Sequence, residues 1–195
     1  MTPNAVRVGF ALCGSFCTFE KAIGLMRRMR DEGYDITPIM SHNAYTMDTR
    51  FGRAEDIIAE IAEITGKSPM HTIQQAEPIG PRELVDVMLV APCTGNTLAK
   101  IACGITDTPV TMAVKSHLRR CAPVVLALSS NDSLSANAQN MGRLMNTKNI
   151  YFVPLMQDDP DKKGRSAVAD LNLAERTIAA AIDGVQLQPI LMGRQ

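Results

Sequence analysis

The chain has 195 residues, 46% of them hydrophobic, and its 20 acidic and 20 basic side chains give a formal net charge of zero. That length suits one domain, expected over residues 1–195, and the neutral balance removes the long-range attraction that nucleic-acid or anionic-membrane binding draws on. No window approaches the ~20 apolar residues of a membrane span, and the five cysteines, at 13, 17, 93, 103 and 121, form no C-x2-C pair, so a cytoplasmic protein with reduced thiols and no metal site is expected.

Val6 to Leu12 is an apolar run of strand length that ends at Cys13-Gly14-Ser15, after which Phe19, Ala22, Ile23, Met26 and Met29 recur at helical spacing. Glu32-Gly33 stops this helix, and Asp35 to Met40 reads as a second strand ending in Ser41-His42-Asn43. Ala54, Ile57, Ile58, Ile61 and Ile64 form the stripe of an amphipathic helix that Thr65-Gly66 closes. Residues 67–83, with three prolines, read as an irregular connection containing a short strand at His71 to Ile73. The run 87–91 is a buried strand, Pro92 to Asn96 a polar turn, and a helix begins at Thr97. A helical stretch follows from Pro109 to Cys121, then a strand from Val124 to Leu128 that ends in Ser129-Ser130-Asn131-Asp132. A helix from Leu134 to Met145, a strand from Ile150 to Val153, a polar loop over 157–165 and a helix from Leu171 to Ile182 complete the chain; the loop reads as a surface segment, with a lid or partner contact as the alternative. The alternation predicts a three-layer α/β domain, a doubly wound parallel sheet with helices on both faces.

Open sheets of this kind bind ligands outside the carboxyl ends of their strands. Four successive strand ends here supply hydroxyls, amides and backbone N–H groups: Gly14, Ser15 and Thr18; Ser41 and Asn43; Pro92, Thr94, Asn96 and Thr97; Ser129 and Ser130. Such groups suit a phosphate or a polar ring edge, although the same residue types are ordinary helix caps. The P-loop pattern fails because Ser15-Phe16 stands where Lys and Ser or Thr are required, and no G-x-G-x-x-G occurs. A site with few charges fits flavin mononucleotide (FMN) better than ATP, which recruits lysine and a magnesium-binding carboxylate. His42, His71 and His117 read as surface or structural residues.

The segment APCTGNTLAKIA, Ala91 to Ala102, continuing to Gly104-Ile105-Thr106-Asp107, resembles the second signature of the homo-oligomeric flavin-containing cysteine decarboxylases. Asn43 to Gly52, Ala76 to Pro81, Leu128 to Leu134, Thr147 to Pro154 and Gln157 to Pro160 resemble one branch of that family nearly end to end. The resemblance implies a flavodoxin-like, Rossmann-like fold, FMN at the strand ends named above, and a homo-oligomer. It further implies an oxidoreductase subunit in the mother cell of a sporulating bacterium, aromatising a dihydropyridine dicarboxylate. The partner subunit is implied to resemble a nicotinamide-nucleotide dehydrogenase and to hold NAD(P). Two departures speak against cysteine decarboxylation: His71 is displaced from the position of the family's base, and Ser129 to Asp132 replaces its Pro-x-Met-Asn carboxylate clamp. Because a dicarboxylate needs cations, Arg50 is the first candidate for substrate binding, with Lys115 and Arg119 behind it. A non-catalytic scaffold for the partner subunit, or an autonomous FMN-dependent decarboxylase or transferase, are the alternative functions.

Overall fold

A computed structural model describes residues 5–193; the ends of the expected 1–195 domain, 1–4 and 194–195, lie outside the described residues. Five strands, β1 (Arg7–Leu12), β2 (Asp35–Met40), β3 (Val87–Cys93), β4 (Val124–Ser130) and β5 (Ile150–Phe152), pair in parallel in the order β2-β1-β3-β4-β5. This is the order of a flavodoxin-like sheet, whose direction of winding reverses between β1 and β3.

The strand sequences are apolar at nearly every position because both faces are covered. Successive residues point to opposite sides: Val8, Phe10 and Leu12 of β1 enter one core, Ala11 the other, and in β4 Val125 and Ala127 oppose Val124, Leu126 and Leu128. The first core is closed by α1 (Phe19–Asp31), through Ile23, Met26 and Met29, by α3 (Ala54–Thr65), through Ile57 and Ile61, and by α8 (Ala174–Ile182), through Ile178. The second is closed by α5 (Gly95–Ala102), α6 (Pro109–Leu118) and α7 (Ala138–Met145), through Leu98, Val110, Val114 and Leu144. The short helices α2 (His42–Thr46) and α4 (Ile73–Ala76) follow β2 and precede β3.

Four expectations change. The sheet is mixed: β6 (Leu155–Met156) and β7 (Ala167–Ala169) form an antiparallel pair that joins β4 at Ser129 and Ser130. His71 to Ile73 is not a strand; Thr72 and Gln75 make a capping box that starts α4 at Ile73, while Met70 alone bridges to Ile39 of β2. The strand at 87–91 runs on through Pro92 to Cys93 and α5 opens at Gly95, not Thr97. Finally, α7 starts at Ala138 instead of Leu134, because Ser133, Ser135 and Asn137 use their side chains on local partners across the turns that precede it. Among the described residues no helix is long and apolar enough to cross a membrane.

Candidate functional site

After β1 the chain turns through Gly14 and Ser15 into a single 3-10 turn, Phe16–Thr18, that feeds α1. Ser15 and Thr18 occupy the two capping positions, yet neither side chain caps its helix. Ser15 Oγ and Thr18 Oγ1 instead lie 3.2 Å apart and meet Ser129 Oγ, from the end of β4, at 2.9 and 3.0 Å. Strands β1 and β4 are not neighbours, so this hydroxyl triangle spans the end of β3 between them. Each hydroxyl offers one proton and two lone pairs; a proton rotated outward turns the triangle into a donor for an anion.

The other strand ends divide differently. Ser41 Oγ accepts from Ala44 N–H at 3.3 Å and Thr94 Oγ1 from Thr97 N–H at 3.2 Å, so both act as caps. Thr94 also donates to Thr97 Oγ1 at 3.1 Å. The Pro92 carbonyl accepts from Cys13 N–H at 3.2 Å and ties the end of β3 to that of β1. Asn43 is exposed in the first turn of α2, its Cβ 3.6 Å from where a side chain on Gly14 would begin. A cleft of about 1340 Å³ opens over these ends; Gly14, Ser15, Thr18, Thr94, Asn96, Ser129 and Ser130 line it, whereas Ser41, Asn43, Pro92 and Thr97 stand outside its lining.

The N-terminus of α5 carries an anion supplied by the chain itself. Asp132 Oδ1 accepts from Ser130 Oγ and from Asn137 Nδ2, the latter at 2.9 Å, and Oδ2 accepts from Asn137 Nδ2 at 2.8 Å. These donors, Ser130 first, hold the Asp132 carboxyl below the usual carboxylate range. Gly95, the first residue of α5, makes room for this group: a Cβ there would fall 2.6 Å from Ser130 Oγ and 2.8 Å from Asp132 Oδ1. A fixed carboxylate thus lies beside the positive end of the helix dipole.

Among the described residues four cations line the cleft. Lys163 Nζ pairs with Asp158 at 2.9 Å, and Arg28 Nε faces Glu175 Oε1 at 3.6 Å. Lys21 lies on the same wall of α1 as Arg28. Arg50 sits at the tip of a turn closed by two hydrogen bonds between Thr49 and Gly52, at 3.0 and 3.1 Å, with its guanidinium carbon 4.8 Å from the centre of the exposed Phe51 ring. Lys115 and Arg119, at the end of α6, do not line the cleft. Spacing alone concealed Lys21 and Arg28: they are seven apart on one helix, a periodicity that reads equally as a solvated face.

His71 stands outside the cleft lining, its ring stacked on Tyr45 with centroids 3.9 Å apart and its backbone N–H on Gln75 Oε1 at 2.8 Å. His42 is exposed on α2, and His117 is fully buried in α6. Burial pushes the Cys13 thiol up to about 11 and Cys93 well above its ordinary value, so both are inert packing groups. Among the described residues, no group of three or more His, Cys, Asp or Glu side chains could hold a metal ion.

Comparison with known proteins adds relatives to this geometry. A family model described as Flavoprotein matches residues 2–182. The B subunit of dipicolinate synthase from Bacillus subtilis (strain 168) is 44% identical over 186 residues, which cover 95% of this chain and 93% of that protein. The crystal structure of the corresponding B subunit of dipicolinate synthase from Bacillus halodurans C superposes with a TM-score of 0.89 at 42% identity, covering 97% of each chain. DmrB of Burkholderia xenovorans, solved in complex with FMN, shares the fold at a TM-score of 0.66 and 18% identity, over 94% of this chain and 98% of that one.

Proposed function

The chain belongs to the Flavoprotein family, and from that membership we propose that it serves as the B subunit of a dipicolinate synthase, one flavoprotein-like domain over residues 1–195. In this reading it binds FMN and, with the enzyme's A subunit carrying NAD(P), oxidises dihydrodipicolinate to dipicolinate in the mother cell of a sporulating bacterium. The observation that carries the reading is the 44% identity to the Bacillus subtilis protein over nearly the whole of both chains.

The side chains present fit a flavin nucleotide. Ser15, Thr18 and Ser129 leave their hydroxyls uncommitted to helix ends, and together with the backbone at Gly14 they would hold the phosphate. Thr94, Asn96 and Ser130 line the adjoining wall and would meet the polar edge of the ring system. When bound, FMN supplies a two-electron acceptor. The chain's own part is to orient the substrate: Arg50 would hold one carboxylate in a charge-assisted pair, with its guanidinium set against Phe51. Aromatising the ring removes a hydride and a proton, so the substrate must be held with one face toward the acceptor, a demand that orientation meets. The exposed Phe51 of the cleft lining, 49% accessible, supports a homo-oligomer that covers this rim.

A visible spectrum of the purified chain with FMN added tests the reading: a bound-flavin spectrum supports it, whereas no binding leaves a scaffold for the partner. The autonomous decarboxylase is the weaker alternative, because His71 is stacked on Tyr45 outside the cleft lining and a carboxylate, Asp132, stands in the segment that replaces the family's carboxylate clamp.

A further inference from the structure

The loop over 157–165 is fixed at its base to the residues that would hold the flavin phosphate. It joins β6 to β7, and β7 pairs Val168 with Ser129 and Ala167 with Ser130. Ser166 Oγ donates to the Ser130 carbonyl at 3.2 Å, and the Arg165 carbonyl accepts from Leu134 N–H at 2.9 Å. The loop is also closed on itself: Lys163 N–H donates to the Asp159 carbonyl at 2.7 Å, Lys162 N–H to Asp159 Oδ1 at 3.1 Å, and Gln157 Nε2 to the Gly164 carbonyl at 3.1 Å. From this frame Asp158 and Lys163 line the cleft and meet each other, Oδ2 to Nζ, at 2.9 Å.

Lys163 stands beside the turn that carries the hydroxyl triangle. The Asp158 carboxylate holds its ammonium above the usual lysine range, and the smaller charge influences on it include Cys17, whose Sγ lies 3.9 Å from Ser15 Oγ and 3.8 Å from Thr18 Oγ1. Arg28, by contrast, lies roughly 15 Å along α1 from Thr18, and Arg50 is set against Phe51. The triangle itself is neutral, whereas a phosphate monoester carries close to two negative charges at neutral pH; three hydroxyls can orient that dianion but cannot balance it. The Lys163 side chain is 56% exposed, so its pair with Asp158 is screened by solvent and contributes little, and a dianion in the cleft competes with Asp158 for the ammonium.

We propose that Lys163 is a specificity-determining residue of the cleft: its ammonium passes from Asp158 to the phosphate at the hydroxyl triangle and so selects the phosphorylated flavin over the unphosphorylated one. The proposal rests on the FMN reading above and adds to it an internal competitor, since Asp158 both occupies Lys163 and repels the incoming anion.

FMN and riboflavin, which differ only in the phosphate, are the probes, titrated by fluorescence quenching into the full chain, by itself and mixed with the A subunit. The wild type should bind FMN about tenfold or more tightly than riboflavin. Lys163→Ala should weaken FMN by about tenfold and leave riboflavin unchanged, Lys163→Arg should keep the preference, and Asp158→Asn should tighten FMN by about threefold or more. A wild type that binds the two flavins equally overturns the assignment without any variant. A folded Lys163→Ala protein that weakens both flavins alike, or neither, overturns it as well, as does an Asp158→Asn protein that binds FMN no better than the wild type. If the wild type binds neither flavin, the FMN reading itself falls, and this assignment with it.

Discussion

Ser129 links the β1 and β4 ends, since its hydroxyl touches both Ser15 and Thr18. Replacing it by alanine removes two hydrogen bonds from the proposed phosphate site without emptying any core, so FMN should bind about five- to fifteenfold more weakly in a fluorescence-quenching titration, with thermal stability little changed. Arg50→Ala should act on the other ligand: the apparent substrate constant rises by about tenfold or more while FMN affinity is retained, and unchanged kinetics would remove Arg50 from the site. Gly95→Ala tests the packing of the fixed carboxylate. A methyl group there meets Ser130, Asp132 and Asn137 inside contact distance, and the melting temperature should drop by an amount corresponding to about 1–3 kcal/mol. Among single residues, the sequence exposed the hydroxyls but hid their division of labour. Ser15 and Ser41 are both serines at helix starts; only the structure shows that Ser41 caps and Ser15 does not. Asp132 is visible in the Ser-Ser-Asn-Asp run, yet nothing local says that Asn137, further along the chain, holds it against the start of α5.

Among the elements, the long periodic segments were legible and the short ones were not. β1 to β4, α1, α3 and α8 announce themselves because each buries a continuous apolar face in one of the two cores or both. β6 and β7, of two and three residues, are too short to show alternation, and their pairing comes from the partner edge of β4. Helix α6 brings a pH dependence. His117 is fully buried, and among the described residues neither ring nitrogen has a partner at hydrogen-bonding geometry, the Pro123 backbone lying near enough only to act on its charge. Burial first, then the nearby Arg120 charge, lowers its pKa from 6.5 to about 4, with the Pro123 backbone and Asp86 opposing. The unfolded chain therefore binds the extra proton between those values, so this contribution to stability is complete above pH 6.5 and is lost as pH falls toward 4. The loss should be on the order of 3 kcal/mol by denaturant titration. His117→Leu should flatten this dependence and leave stability at neutral pH equal or higher, since it removes two unsatisfied buried nitrogens; a mutant that keeps the wild-type pH profile would assign the acid sensitivity elsewhere.

For the molecule as a whole, the location of the cleft follows from winding. Reversal between β1 and β3 leaves a crevice at the carboxyl edge of the sheet, and the turns after β1, β3 and β4 bring polar side chains to it from positions 14 to 132. That convergence could be anticipated from strand order, and of the four cations only Arg50 could be: Lys21, Arg28 and Lys163 reach the cleft from a helix flank and from the loop after β6, and Lys115 and Arg119, equally basic in sequence, lie elsewhere. In the proposed function two subunits divide the work around one dicarboxylate. The decisive experiment is oxidation of dihydrodipicolinate by the A subunit, by this chain and by the two together, with FMN and the nicotinamide nucleotide each added and omitted, followed by the appearance of the pyridine ring. Rapid dipicolinate formation is expected only when both proteins are present, and only with FMN. Full activity without this chain, or activity of the pair indifferent to FMN, would overturn the proposed division.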